Sequence, residues 1–201
     1  MLMKRFLIAG LGNPGKEYAN SRHNAGADYI DLLCKKHSLS LENEKQISGA
    51  IAKLKTEEYE LIFVVPSTYM NESGICISKS KKFFNLNTEE ILVAHDELDL
   101  PKSAIRLKES GGHGGHNGLR NIIDHLKGDN NFKRLRIGIG KPEKENNVIS
   151  YVLKKAPLKD REDLKEQLSN YLNLGEEILI DGWQKTVMKY HTSREEEGNE
   201  S

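Results

Sequence analysis

Three glycine- and asparagine-rich stretches hold the residues of this chain that can move protons or orient amides. Gly10-Leu11-Gly12-Asn13-Pro14-Gly15 runs on to Arg22-His23-Asn24-Ala25-Gly26. His95-Asp96-Glu97-Leu98-Asp99-Leu100-Pro101 is the second, and Gly111-Gly112-His113-Gly114-Gly115-His116-Asn117-Gly118 the third. Histidine titrates near neutrality, at roughly pH 6.5, so His23 can take a proton from water without an unusual environment. Asp96, bonded to one ring nitrogen of His23, would fix the tautomer and stabilise the imidazolium, as in a serine-protease triad with water in place of the serine. Asn13, Asn71 and Asn117 offer uncharged donors and acceptors suited to a peptide carbonyl or a developing oxyanion. From sequence alone, Asn71 and Asn117 serve equally well as helix caps. No nucleophilic serine or cysteine motif accompanies these residues, so the predicted chemistry is hydrolysis by histidine-activated water.

Two other chemistries are weaker. Gly10, Gly12 and Gly15 match the G-x-G-x-x-G spacing of a dinucleotide site, but Pro14 removes a backbone N–H where the phosphate cradle needs donors. The acidic residue expected about twenty positions on is poorly supplied by Asp31. His113 and His116 have the spacing of a metal pair but no supporting carboxylate or cysteine nearby. We therefore expect neither cofactor nor metal.

The elements that must position these residues form one α/β domain, a twisted mixed β-sheet flanked by helices, over residues 1–192. Strands are predicted at Lys4 to Gly10 and at about 48–55, 60–65, 91–94, 104–108 and 135–139, the second and third pairing as a hairpin. The strand over 91–94 ends at His95-Asp96, the edge where α/β sheets place their sites. Helices are predicted at 25–37, at 71–84 with Ile75, Ile77, Phe83 and Phe84 toward the core, and at 119–126. After a polar loop at Asn146 and Asn147, the last quarter is helical, with one stripe of Leu164, Leu168, Tyr171, Leu172, Ile178 and Leu179. Residues 193–201 read as a disordered acidic tail.

The 201 residues balance 30 Lys+Arg against 30 Asp+Glu, with 37% hydrophobic content. The longest apolar runs are far too short to cross a bilayer, and with no extended apolar segment or cleavage signature after Lys4 and Arg5, secretion is not expected. Cys34 and Cys76 read as small buried residues in a reducing cytoplasm. Between Pro101 and Lys144, ten Lys/Arg face four Asp/Glu. That local excess of positive charge can bind a polyanion although the whole chain is neutral.

The blocks G-L-G-N-P-G-x-x-Y-x-x-x-R-H-N-A-G, T-Y-M-N-x-S-G, H-D-E-L-D-L-P, G-G-H-G-G-H-N-G-L and F-x-R-L-R-I-G-I-G, in that order, closely resemble those of bacterial peptidyl-tRNA hydrolases. The resemblance covers about residues 4–191. It implies hydrolysis of the ester between peptide and tRNA by a metal-free, monomeric, cytoplasmic enzyme. His23 is then the general base, Asp96 its orienting partner, and Asn13 and Asn71 hold the peptide and oxyanion, with Asn117 positioning water or substrate. Tyr18 and Met70 resemble residues lining the peptide channel. His116, Lys108 and Arg136 resemble residues that meet the tRNA acceptor end, and Arg106 is a further contact. Ser110 and Glu72 depart from the family pattern without touching a catalytic position. A non-catalytic RNA-binding protein on this scaffold is the rival reading, and loss of His23 or Asp96 would have favoured it.

Overall fold

In the computed structural model of the protein, which describes residues 3–142 and 148–197, the apolar run of the first strand sits at the centre of the molecule. This strand, β1 (Lys4–Gly10), sends Phe6 and Ile8 to one face of the sheet and Leu7 and Ala9 to the other, and all four are buried. A strand apolar on both faces needs cover on both, which is the condition for an interior parallel strand. Its neighbours are β4 (Tyr59–Pro66) and β5 (Ile91–Glu97), each parallel to it. Beyond β5 lie β7 (Lys133–Gly138), also parallel, and the antiparallel edge strand β6 (Ile105–Lys108). On the other side, β3 (Gly49–Lys55) pairs antiparallel with β4, and the short β2 (Glu42–Glu44) closes that edge. The order is β2-β3-β4-β1-β5-β7-β6, a mixed seven-stranded sheet.

One face is covered by α1 (Ala25–Lys36), α5 (Leu158–Ser169), α6 (Leu174–Asp181) and the start of α7 (Trp183–Glu197), through Tyr29, Ile30, Leu168, Ile178 and Trp183, and the short α4 (Val148–Leu153) precedes α5. The other is covered by α2 (Ser73–Phe83) and α3 (Asn117–His125), through Cys76, Ile77, Leu119 and Ile122. Both cysteines are buried and free, as expected. The chain leaves β1 through α1 toward β4, then returns through α2 to β5 on the far side of β1. The direction of winding therefore reverses at β1, and the carboxyl ends of β4, β1 and β5 open into a crevice there.

Four details differ from the expectations. β5 continues through Asp96 to Glu97 because its pairing with β7 extends that far. Phe83 is 44% exposed: it ends α2 and packs edge-on against Phe84, which takes the buried place. The single apolar stripe of the last quarter belongs to two helices. The chain breaks between Asn170 and Asn173, and there the carbonyl of Tyr171 accepts a hydrogen bond from the buried Tyr29 hydroxyl at 2.7 Å. Finally, α7 runs to Glu197, so 193–197 of the expected tail are helical, while 198–201 and the loop at Asn146 and Asn147 lie outside the described residues.

Candidate active site

The loops and turns at the carboxyl ends of the central strands supply the site. After β1, the loop carrying Asn13 is joined to a one-turn 3-10 helix at Arg22–Asn24, which leads directly into α1. Asn24 makes that junction: its Oδ1 accepts from the Asn13 N–H at 2.9 Å and its Nδ2 donates to the Asn13 carbonyl at 3.0 Å. His23 is thereby held over the end of β5. Its Nδ1 lies 2.8 and 3.0 Å from the two carboxylate oxygens of Asp96. The expected histidine–aspartate pair is thus in contact.

Asp96 has a second histidine. Nε2 of His116 lies 2.9 Å from Asp96 Oδ1, while its Nδ1 accepts the Leu119 N–H and caps α3. Because Nδ1 of His116 is an acceptor, Nε2 carries the hydrogen and donates it to the carboxylate. His23 donates through Nδ1, which leaves its Nε2 as the basic nitrogen beside the cleft. Burial acts to raise the pKa of Asp96, but charge and hydrogen bonds from His116 and His23 outweigh it and hold the carboxyl well below the usual range. It stays ionised at any working pH. His95, 1% exposed, donates from Nδ1 to the Asp96 carbonyl, and its ring meets His116 edge-on. Burial, with His116 beside it, lowers His95 to about 3, so it stands as a neutral spacer.

The cleft over this cluster has a volume of about 330 Å³. Asn13 and Asn71 border it, as do Asn117, Tyr18 and Met70. Oδ1 of Asn13 accepts the Met70 N–H at 2.7 Å, which fixes the amide and leaves Nδ2 as its donor. Asn117 is pinned similarly, its Oδ1 accepting from Arg120 at 3.3 Å. Neither Asn71 nor Asn117 caps a helix: α2 has Glu72 at its cap and α3 has His116. Tyr18 meets Tyr69 edge-on at the rim, with ring centroids 6.3 Å apart.

The basic residues lie apart from this cluster, on the sheet edge. Arg106 and Lys108 of β6 are exposed and pair in register with Arg136 and Arg134 of β7. Arg134 lies in β7 just before the predicted strand over 135–139, and it is not on a solvent face. It is 3% exposed, and its guanidinium donates to the carbonyls of Gly111 and Gly112. The glycine loop folds over it, and burial lowers it to about 10. The bonds of His95, His116 and Arg134 went unread in the sequence. Only the density of histidine and glycine near Asp96 signalled them.

Donor atoms of His23, Asp96 and His116 lie within 4.8 Å of one another, close enough for a shared metal ion. Both rings direct an N–H at the carboxylate at hydrogen-bond distance, so a metal would have to displace two protons. His113 takes no part in the group; its Nδ1 accepts the Gly115 N–H.

Fold and site together define an α/β enzyme with a switch-point cleft equipped for proton transfer and amide recognition. A family model described as peptidyl-tRNA hydrolase matches residues 7–198. A peptidyl-tRNA hydrolase of Serratia proteamaculans is 43% identical over 92% of this chain and 95% of its own. One of Vibrio cholerae is 43% identical over 94% and 97%. The solved structure of peptidyl-tRNA hydrolase from Acinetobacter baumannii superposes with a TM-score of 0.85 at 39% identity, covering 93% of this chain and 95% of that one. The chain belongs to the peptidyl-tRNA hydrolase family.

Proposed function

We propose that this enzyme hydrolyses the ester joining a peptide, or an N-blocked amino acid, to the terminal ribose of tRNA. Nε2 of His23 takes a proton from water as the oxygen attacks the ester carbonyl. The tetrahedral oxyanion receives a hydrogen bond from Asn13 Nδ2, and Asp96 balances the imidazolium. Collapse returns the proton from Nε2 to the departing ribose oxygen, so peptide acid and free tRNA leave. Asn71 and Asn117 hold the peptide amides and the water, with Tyr18 and Met70 along the peptide. An asparagine-lined pocket accepts a blocked N-terminus and would leave the ammonium of a free aminoacyl-tRNA poorly paired. His116 acts on the acceptor end only from its place on Asp96, while Lys108, Arg136 and Arg106 meet the tRNA phosphates.

The enzyme is proposed to act as a monomer. Among the described residues no helix is long and apolar enough to cross a membrane. Since the substrate arises in translation, the enzyme works in the cytoplasm.

The His23–Asp96 contact carries the reading. His23→Ala and Asp96→Asn should each lower turnover of N-blocked aminoacyl-tRNA at least about a hundredfold, with KM changed little. Full activity in the His23 variant would reject the general-base assignment.

A further inference from the structure

One wall of the cleft takes no part in the steps above. It is α4, a helix without a charged residue, which lines the cleft through Val148, Ile149, Val152 and Leu153. Ile149 is 74% exposed, a large apolar side chain left in water beside the base. Asn13, Asn71 and Asn117 border the same cleft and can serve a substrate's amides, which leaves α4 an apolar group. On an esterified peptide, the group next to the reacting carbonyl is the side chain of the last amino acid.

Six residues of helix do not hold themselves in place. Tyr151, on the other face of α4, fastens the wall to the turn that bears the base. Arg22 immediately precedes His23, and its guanidinium lies 4.2 Å from the centre of the Tyr151 ring. Arg22 Nη1 also donates to the Tyr151 carbonyl at 3.2 Å. The Tyr151 hydroxyl donates to the carbonyl of Ile139, just past β7, at 2.6 Å. Beyond the helix the chain stays bound to the same turn. The Arg22 N–H donates to the Lys154 carbonyl at 3.3 Å, and the Ala156 N–H to the Asn20 carbonyl at 3.0 Å. The wall is thus formed before substrate arrives, and an apolar side chain meets it without the cost of ordering a helix.

We propose that α4 is an apolar specificity wall for the side chain of the esterified amino acid, and that Tyr151 is the positioning residue that keeps it formed. The inference rests on the proposed hydrolysis of peptidyl-tRNA.

One tRNA charged with N-acetyl-leucine or with N-acetyl-asparagine, side chains of similar size, tests it. In the wild type, KM should be at least about fivefold lower for the leucyl ester. The difference falls on KM because a contact away from the reacting atoms is made alike in ground and transition states. Ile149→Asn should reduce the ratio to less than about twofold. Tyr151→Ala should do the same by raising KM for the leucyl ester, and Tyr151→Phe, which keeps the ring under Arg22, should give an intermediate ratio. Equal KM for the two esters in the wild type would overturn the proposal, as would a ratio unmoved by Ile149→Asn. An unmoved ratio in Tyr151→Ala, or a fall in kcat shared by both esters, would overturn the positioning role; the second result would assign the strap to His23. Should Tyr151→Ala fail to fold, Tyr151→Phe decides that role, with a lowered ratio expected and the wild-type ratio overturning it. Hydrolysis of neither ester by the wild type would overturn the proposed function itself, and this inference with it.

Discussion

Asn13 has an amide whose two ends are assigned different tasks by their surroundings. Its oxygen is committed to the Met70 N–H, so only the nitrogen remains to meet charge that develops on a substrate carbonyl. That division can be separated experimentally. Asn13→Asp keeps the acceptor, and with it the link between the loop after β1 and the turn after β4, but replaces the donor with an anion. Turnover should fall about a hundred- to a thousandfold, with the melting temperature near that of the wild type. An aspartate variant with near-normal turnover would show that Asn13 is a structural tie alone. The candidate catalytic residues were legible as types: a histidine in a glycine-bounded loop, an acid ending a buried strand, amides at junctions. His116 was not. Its three-residue spacing from His113 suggests a metal pair, while its actual bond to Asp96 depends on the direction in which α3 leaves the glycine loop.

Elements hold His23 and Asp96 together by close backbone approach. α1 lies so near the sheet that a Cβ on Gly26 would stand 2.1 Å from the Ala94 carbonyl oxygen and 2.6 Å from the Leu11 nitrogen. Since the turn bearing His23 runs straight into α1, any retreat of this helix carries the imidazole away from β5. Gly26→Ala should therefore cost about 1–3 kcal/mol by overpacking and lower turnover more than a surface change of equal stability cost. Comparing urea midpoints with single-turnover rates checks this, and a variant of reduced stability with unaltered chemistry would uncouple the helix from the base. The individual strands were readable because Phe6-Leu7-Ile8-Ala9 and Ile91-Leu92-Val93-Ala94 are apolar without interruption, as buried strands must be. Their order was not readable, for it depends on which face each crossover takes. The burial of Arg134 was hidden for a related reason. Alternation reports which face a side chain leaves by, and says nothing of a loop whose carbonyls later cover that face.

At the scale of the whole molecule, two buried groups on opposite sides of the sheet pull the dependence of stability on pH in opposite directions. His95, held to about 3 by burial, cannot take up the proton that its unfolded counterpart accepts near pH 6.5. Unfolding thus binds a proton over that window, and this contribution to stability is lost as pH falls, by about 1.4 kcal/mol per unit. Asp28 on α1 behaves in reverse. Burial, with Asp31 beside it, raises it to about 6 against the lowering effect of Arg161 and Lys35. Between about pH 4 and 6 the folded state keeps a proton there that the unfolded chain releases, so this contribution is lost as pH rises. Over that range the two largely offset each other. Asp28→Asn removes one of them: relative to the wild type the variant should gain stability steadily from pH 4 to pH 6 and hold the gain above. The gain should be about 1–2 kcal/mol once solvent screening of the half-buried site is allowed for. Urea unfolding at unit pH intervals measures it directly. A difference between the two proteins that did not change with pH would mean that Asp28 titrates normally in the fold, and the acid sensitivity set by His95 would then appear undiminished in the wild type.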